Sequence, residues 1–253
     1  MSDRVKEQFF WILMLAGMVL CLAGLLYGII SAGAAATILA LLALLTIIKW
    51  ARESLVTVKL LSLIATLTAI AALSRVPFAA LPGVQPTTFL IIVSGFVFGP
   101  QAGFMTGAMA ALVSNFFLGQ GPWTPWQMLG WGLTGMSAAY LGRLKPNLAP
   151  WALAIFAGLW GYLFGWIQNI GFATVFIYPL TFKAYLTSCV LSFAFDSIHA
   201  LTNFLLCLFL ALPIIKILQN FRQRLDFKYA EETSDHHFIE MDPSTKNEDK
   251  PGS

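Results

Sequence analysis

About eight apolar runs, most of them near the ~20 residues that a helix needs to cross a bilayer, with the one from Thr87 short and the one from Trp151 long, leave this chain few choices of fold. They fall at Phe9–Ile30, Ala32–Ile48, Leu55–Leu73, Thr87–Phe98, Ala102–Leu118, Trp126–Leu141, Trp151–Ile177 and Ala184–Pro213. Lipid offers no hydrogen bonds to a bare backbone, so runs of this kind fold as helices that satisfy their own N–H and C=O groups. The chain is expected to be an all-α polytopic membrane protein. Composition agrees, since 58% of the residues are hydrophobic and only 11% are charged, against about a quarter charged in a soluble domain.

The distribution of charge sets the expected orientation. With the N-terminus inside and every run spanning, one face receives Arg4, Lys6, Lys49, Arg52, Lys59, Arg143, Lys145, Lys216, Arg222, Arg224 and Lys228, and the other keeps Arg75 and Lys183. Cytoplasmic loops are the ones enriched in Lys and Arg, so both termini are expected in the cytoplasm, and an odd number of crossings would spoil the asymmetry. The first run is long enough to span and is followed by no convincing small-residue cleavage site, so a cleavable signal peptide is not expected. Cys21, Cys189 and Cys207 lie inside apolar runs, which does not indicate a disulfide framework.

The first two runs hold almost nothing polar beyond Ser31 and Thr37, which suits a lipid-facing hairpin. Trp50 to Lys59 reads as a charged link at the inner surface and as the one plausible domain boundary. The third run carries Ala65, Ala69 and Ala72 at helical spacing, a smooth stripe that serves either packing within the bundle or contact with another subunit. It ends at Arg75, which either reaches lipid headgroups or turns toward a ligand. Pro77, Pro82 and Pro86 keep the next loop irregular, with Gln85, Thr87 and Thr88 at the return to the membrane; such backbone must be covered by protein or line a wet cavity.

The stretch FFLGQGPWTPWQM carries no charge and sets Trp123 and Trp126 beside Gln120 and Gln127. That composition suits contact with an amphipathic surface, either the membrane interface or a ligand. Gly103, Gly107 and Ala111, and later Gly158, Gly161 and Gly165, mark faces where helices approach closely. Gln168 and Asn169 are adjacent, so at most one of them faces a central cavity. In the last run Cys189, Ser192, Asp196, His199 and Asn203 share one helical face. Asp196 needs a partner or water at that depth; His199 is the nearest candidate, as a structural pair or as a ligand contact. Past Pro213 the chain turns polar, and from Asp226 it is expected to be a disordered tail.

No GxxxxGK[ST] phosphate loop, HExxH, GxSxG or CxxC occurs, which removes ATP binding by that route and the common hydrolase and redox signatures. No cofactor is expected in this chain. If it does work, another subunit supplies the energy.

From Ala65 to Gly135 the sequence resembles the membrane-embedded substrate-binding subunit (S-component) of energy-coupling factor vitamin transporters. Ala65 and Ala69, the segment PGVQPTTFLIIVSG and the segment SNFFLGQGPWTPWQM carry the likeness, which extends more weakly to about Pro213. The resemblance implies a six-helix bundle at residues 51–215, preceded here by an extra N-terminal hairpin at 1–50 and followed by a cytoplasmic tail at 216–253. It also implies a vitamin held under the outer loops, Ala65, Ala69 and Ala72 packed on a transmembrane coupling subunit, and two partner ATPases that drive release. The loop wording is most like the cobalamin or corrinoid group. A ligand of that kind would suit Phe117, Trp123, Trp126 and the amides Asn115, Gln120, Gln127 and Asn169; Arg75, Gln85, Thr87, Asp196 and His199 complete the expected substrate-binding set. The alternatives are a membrane scaffold without a small-molecule substrate and, more remotely, an intramembrane enzyme using Asp196 and His199.

Overall fold

A computed structural model describes residues 3–31, 34–35, 38–39, 41–43, 45–46, 49, 58–179 and 181–241. Among them the regular elements are helices: α1 (Asp3–Leu26), α2 (Val58–Arg75), α3 (Pro86–Phe98), α4 (Pro100–Leu118), α5 (Thr124–Leu144), α6 (Pro150–Phe176) and α7 (Phe182–Met241). The described residues between 34 and 49 are helical as well. The chain is thus an all-α polytopic membrane protein, as the apolar runs require. The link expected at Trp50 to Lys59 lies mostly outside the described residues.

Helix starts follow local chemistry. Pro occupies the first turn of α3, α4, α5 and α6, where its missing N–H costs no intrahelical bond. Between α3 and α4 the chain reverses at Gly99, whose φ of 97° is one that L side chains resist.

The shortest helix is the central one. At 13 residues, α3 rises only about 20 Å, too little for a hydrocarbon core of about 30 Å. It is tolerated because α3 contacts α2, α4, α5, α6 and α7 and buries most of its residues. Backbone enclosed by protein has no need to match the bilayer. Phe89, Ile92, Val93 and Val97 of α3 join Leu153, Ala154 and Ala157 of α6 and Cys207, Ala211 and Ile215 of α7 in the main apolar core. At the far end Arg222 of α7 donates through Nη1 to the Val97 carbonyl at 2.6 Å, so a basic side chain closes the carbonyl end of α3.

Glycines allow the helices to meet backbone to backbone. A Cβ at Gly95 or Gly103 would run into the Gly135 backbone, which brings α3, α4 and α5 together. The face expected at Gly158, Gly161 and Gly165 meets α7, with Gly161 against Ala200 and Gly165 against the Asp196 carboxylate. In the N-terminal part, Cys21 and Leu25 of α1 pack with Ala35, and Leu42 lies beside Gly17, as a hairpin requires.

The helix α7 runs through Pro213 and is helical to Met241. Low apolar content denies a segment a core, yet Lys, Ala and Glu are good helix formers, and no Gly or Pro interrupts the chain between Pro213 and Pro243.

Candidate functional site

Two polar systems lie toward the Arg75 end of the bundle, where the loops 76–85, 119–123 and 177–181 gather. The first starts where α2 ends. Arg75 Nη1 donates to Ser114 Oγ at 2.9 Å and to Asn115 Oδ1 at 2.7 Å, tying α2 to the end of α4. Asn115 is buried, at 1% exposure, and its Nδ2 donates to Thr124 Oγ1 at 3.0 Å and Gln127 Oε1 at 2.8 Å. The Thr124 hydroxyl donates to Gln120 Oε1 at 2.9 Å, and Gln120 Nε2 donates to the Leu112 carbonyl at 2.9 Å. Asn115 thus bonds Gln127 directly, while Gln120 joins them only through the Thr124 hydroxyl and bonds the Leu112 carbonyl, holding the 119–123 loop in place.

The same arginine reaches deeper. Its guanidinium lies 4.9 Å from the centroid of the fully buried Trp131 ring. Trp131 Nε1 donates to Thr88 Oγ1 at 3.0 Å, and Thr88 Oγ1 hydrogen-bonds His199 Nε2 at 2.9 Å. Phe164 stacks on Trp131 with centroids 4.7 Å apart and meets the His199 ring edge-on at 5.5 Å. This chain links α2, α5, α3 and α7. Thr87 is buried too, donating to the Ala71 carbonyl at 2.9 Å.

The second system lies between α6 and α7. Asn169 Nδ2 donates to Ser192 Oγ at 2.7 Å, and Ser192 Oγ donates to Asp196 Oδ2 at 2.7 Å. Asn169 and Ser192 also line an open cavity of about 640 Å³, together with Phe172, Lys183, Ser188 and Leu191. Asp196 is 2% exposed and stands one helical turn behind Ser192. Its carboxylate reaches the cavity through that serine.

Three placements correct the sequence reading. Asp196 pairs with Ser192, four residues earlier, while His199 turns to Thr88. Three residues carry a side chain about 60° around a helix, enough to aim His199 at α3 and Asp196 at α6. Phe117 points away from the bundle at 63% exposure, as does Phe116 at 73%, so neither helps to form a hollow. Ala72 is fully buried, whereas Ala65 and Ala69 are exposed. On the helical wheel Ala65 lies about 20° from Ala72 and Ala69 about 60° from it, so the contrast between the nearly aligned Ala65 and Ala72 shows burial changing along α2.

The remaining expected residues divide. Trp123 is 40% exposed. Trp126 is buried over Gly171 and lines a different cavity, on the α1 side of α5. Buried Trp126 Nε1, Gln85 Oε1, Gln168 Nε2, His199 Nδ1 and both polar atoms of the Asn203 amide have no hydrogen-bond partner among the described residues. The sequence reading missed Ser114, Thr124 and Trp131 as network members and Ser188 and Phe172 as cavity walls. No local pattern marks them; only the helix packing brings them in.

A bundle of apolar helices that buries a polar network and holds a largely apolar cavity with a few polar groups beside it defines a membrane-embedded binding protein. The family model described as "ECF transporter, substrate-specific component" matches residues 59–219, well over half of the chain, and the chain belongs to that family. The match runs from the start of α2 into α7 and leaves α1 outside. No curated protein and no solved structure matches the chain. Membership makes it the substrate-binding component of an energy-coupling factor importer rather than an enzyme, and implies a substrate and partner module subunits.

Proposed function

We propose that the chain captures a vitamin at the outer membrane face for uptake driven by a transmembrane coupling subunit and two ATPases, with both of its own termini in the cytoplasm. The observation that carries this reading is the cavity of about 640 Å³ between α6 and α7. Its size lies within the ~300–1,000 Å³ of small-molecule sites, and it has the expected mix of apolar wall and few polar groups. Asn169, Ser192 and Lys183 are the groups placed to orient a ligand there. On the charge asymmetry of the sequence this mouth faces outward. The exposed Ala65 and Ala69 are the proposed contact with the coupling subunit.

The loop wording favours a corrinoid as the substrate. A smaller vitamin is the second reading, favoured by the cavity volume and by Asn115 bonding Gln127 and Gln120 bonding Thr124 instead of lining that cavity. Calorimetric titration of the detergent-purified protein with cobalamin and a panel of smaller vitamins decides between them. Tight binding of one compound, weakened at least tenfold in Asn169→Leu, is the expected result. If no vitamin binds, the reading fails.

A further inference from the structure

The cavity between α6 and α7 has unlike ends. At its rim stand Thr181 and the exposed Lys183, where α7 begins. Nine residues along that helix from Lys183, about 14 Å of rise, Ser192 and the buried Asn169 form a second polar group. The hydrogen-bond inventory differs between the two. Ser192 Oγ gives its proton to Asp196 Oδ2 at 2.7 Å, and the buried Ser188 gives its own to the Ala184 carbonyl at 3.0 Å. A hydroxyl has one proton and two lone pairs, so toward the cavity both serines, bonded in this way, can only accept. At the rim the Thr181 hydroxyl accepts from the Ala184 N–H at 3.1 Å and keeps its proton to donate. Lys183 offers three donors and no acceptor.

Charge sharpens the contrast. Lys183 is the one charged residue among the described cavity walls. The sequence holds no Asp or Glu from Ser54 to Phe195, so none of the loops gathered at this end carries a carboxylate. Asp196, the first acidic residue along α7, stands thirteen residues from Lys183, about 20 Å of rise. Arg75, the other basic residue of this end, bonds Ser114 and Asn115.

We propose that the substrate is a small organic acid, with its carboxylate at Lys183 and Thr181, an apolar body against Phe172 and Leu191, and an N–H or O–H group donating to Ser192 or Ser188. This deepens the vitamin-capture reading and rests on it, taking the smaller vitamin of the two. An ammonium at a mouth without carboxylates attracts anions and repels cations. A ligand that brought only acceptors to the serines would set lone pair against lone pair and leave both sides without a proton to share.

Calorimetric titration of the detergent-purified protein tests this with acids and their uncharged counterparts: biotin and biotinamide, nicotinate and nicotinamide, pantothenate and pantothenol, alongside thiamin and cobalamin. One acid is expected to bind at least tenfold more tightly than its counterpart. Lys183→Gln, an exposed substitution, should cut that preference to less than threefold, whereas Ser192→Ala should weaken both forms alike. An acid preference that survives Lys183→Gln overturns the proposal. Thiamin, cobalamin or an uncharged compound as the tight ligand, weakened by Asn169→Leu, overturns it too but leaves the cavity as the substrate site. Tight binding that Asn169→Leu does not change, or no binding at all, defeats the vitamin-capture reading of this cavity and the acid assignment together.

Discussion

Arg75 and Asn115, forty positions apart in the sequence, meet through a 2.7 Å hydrogen bond from Nη1 to Oδ1, and that contact joins the ends of α2 and α4. Asn115 passes the constraint to Thr124 and Gln127 at the start of α5. Each hydrogen bond inside a membrane protein contributes about 0.6 kcal/mol on average, and a charged donor raises its share. Asn115→Ala, which removes three bonds and leaves Gln127 short of a donor, should cost about 2 kcal/mol, read as a lower midpoint of thermal unfolding in detergent. Arg75→Lys should recover little, because one ammonium cannot replace a planar fork laid over Trp131.

Glycine contacts make a sharper contrast. A Cβ at Gly103 meets the Gly95 and Gly135 backbones, which have no rotamer with which to yield. Gly103→Ala should destabilise by about 1–3 kcal/mol, as overpacking does. At Gly158 the added Cβ would lie 3.6 Å from the Ala200 carbonyl oxygen, an ordinary contact. Gly158→Ala should therefore be neutral or stabilise by up to about 1 kcal/mol through helix propensity. Equal losses at the two positions would contradict the packing described.

Much of this architecture is legible in the sequence because membrane helices are announced by local composition. Run length, the Pro-started helices and the close faces at Gly103, Gly161 and Gly165 all reappear in the structure. The site is less legible, because its partners are set by which helices touch. Asp196 and His199 lie three positions apart and look like a pair, yet each answers to a different neighbouring helix. Asn115, Gln120 and Gln127 look like ligand contacts because amides at a membrane mouth must bond something; here Asn115 bonds Gln127, and Gln120 bonds Thr124 and the Leu112 carbonyl.

Ser192 stands between Asn169 and Asp196, accepting from one and donating to the other. Ser192→Ala keeps the volume nearly unchanged but leaves a buried carboxylate and a buried amide without their described partner. A substrate oriented by this relay should bind about tenfold more weakly, equivalent to about 1.4 kcal/mol. Ser197→Ala, on the α7 face that bonds Tyr162, should leave affinity unchanged. Calorimetry on the two variants, with the vitamin that the screen identifies, makes the comparison.

At the opposite end, Arg222 holds the Val97 carbonyl of α3. A cation at a helix C-terminus contributes about 0.3–1 kcal/mol, so Arg222→Met should change global stability little. The effect should be local. Hydrogen exchange is expected to quicken in the last turn of α3 and at Gly99, whose N–H bonds the Gly95 carbonyl, while the first turn of α3 keeps its protection.

The three alanines of α2 separate a docking surface from a packing surface within one helix. Ala65 and Ala69 are exposed, so Leu at either position has room to stand outward without disturbing the bundle. If they contact the coupling subunit, Ala65→Leu and Ala69→Leu should abolish vitamin uptake in cells while the purified variants keep wild-type affinity and unfolding temperature. Ala72 is fully buried, and Ala72→Leu adds three carbons where nothing gives, for a loss of about 1–3 kcal/mol. Its uptake defect should follow from instability and should appear as reduced yield of folded protein. Uptake that survives both outward substitutions would place the coupling contact on another helix.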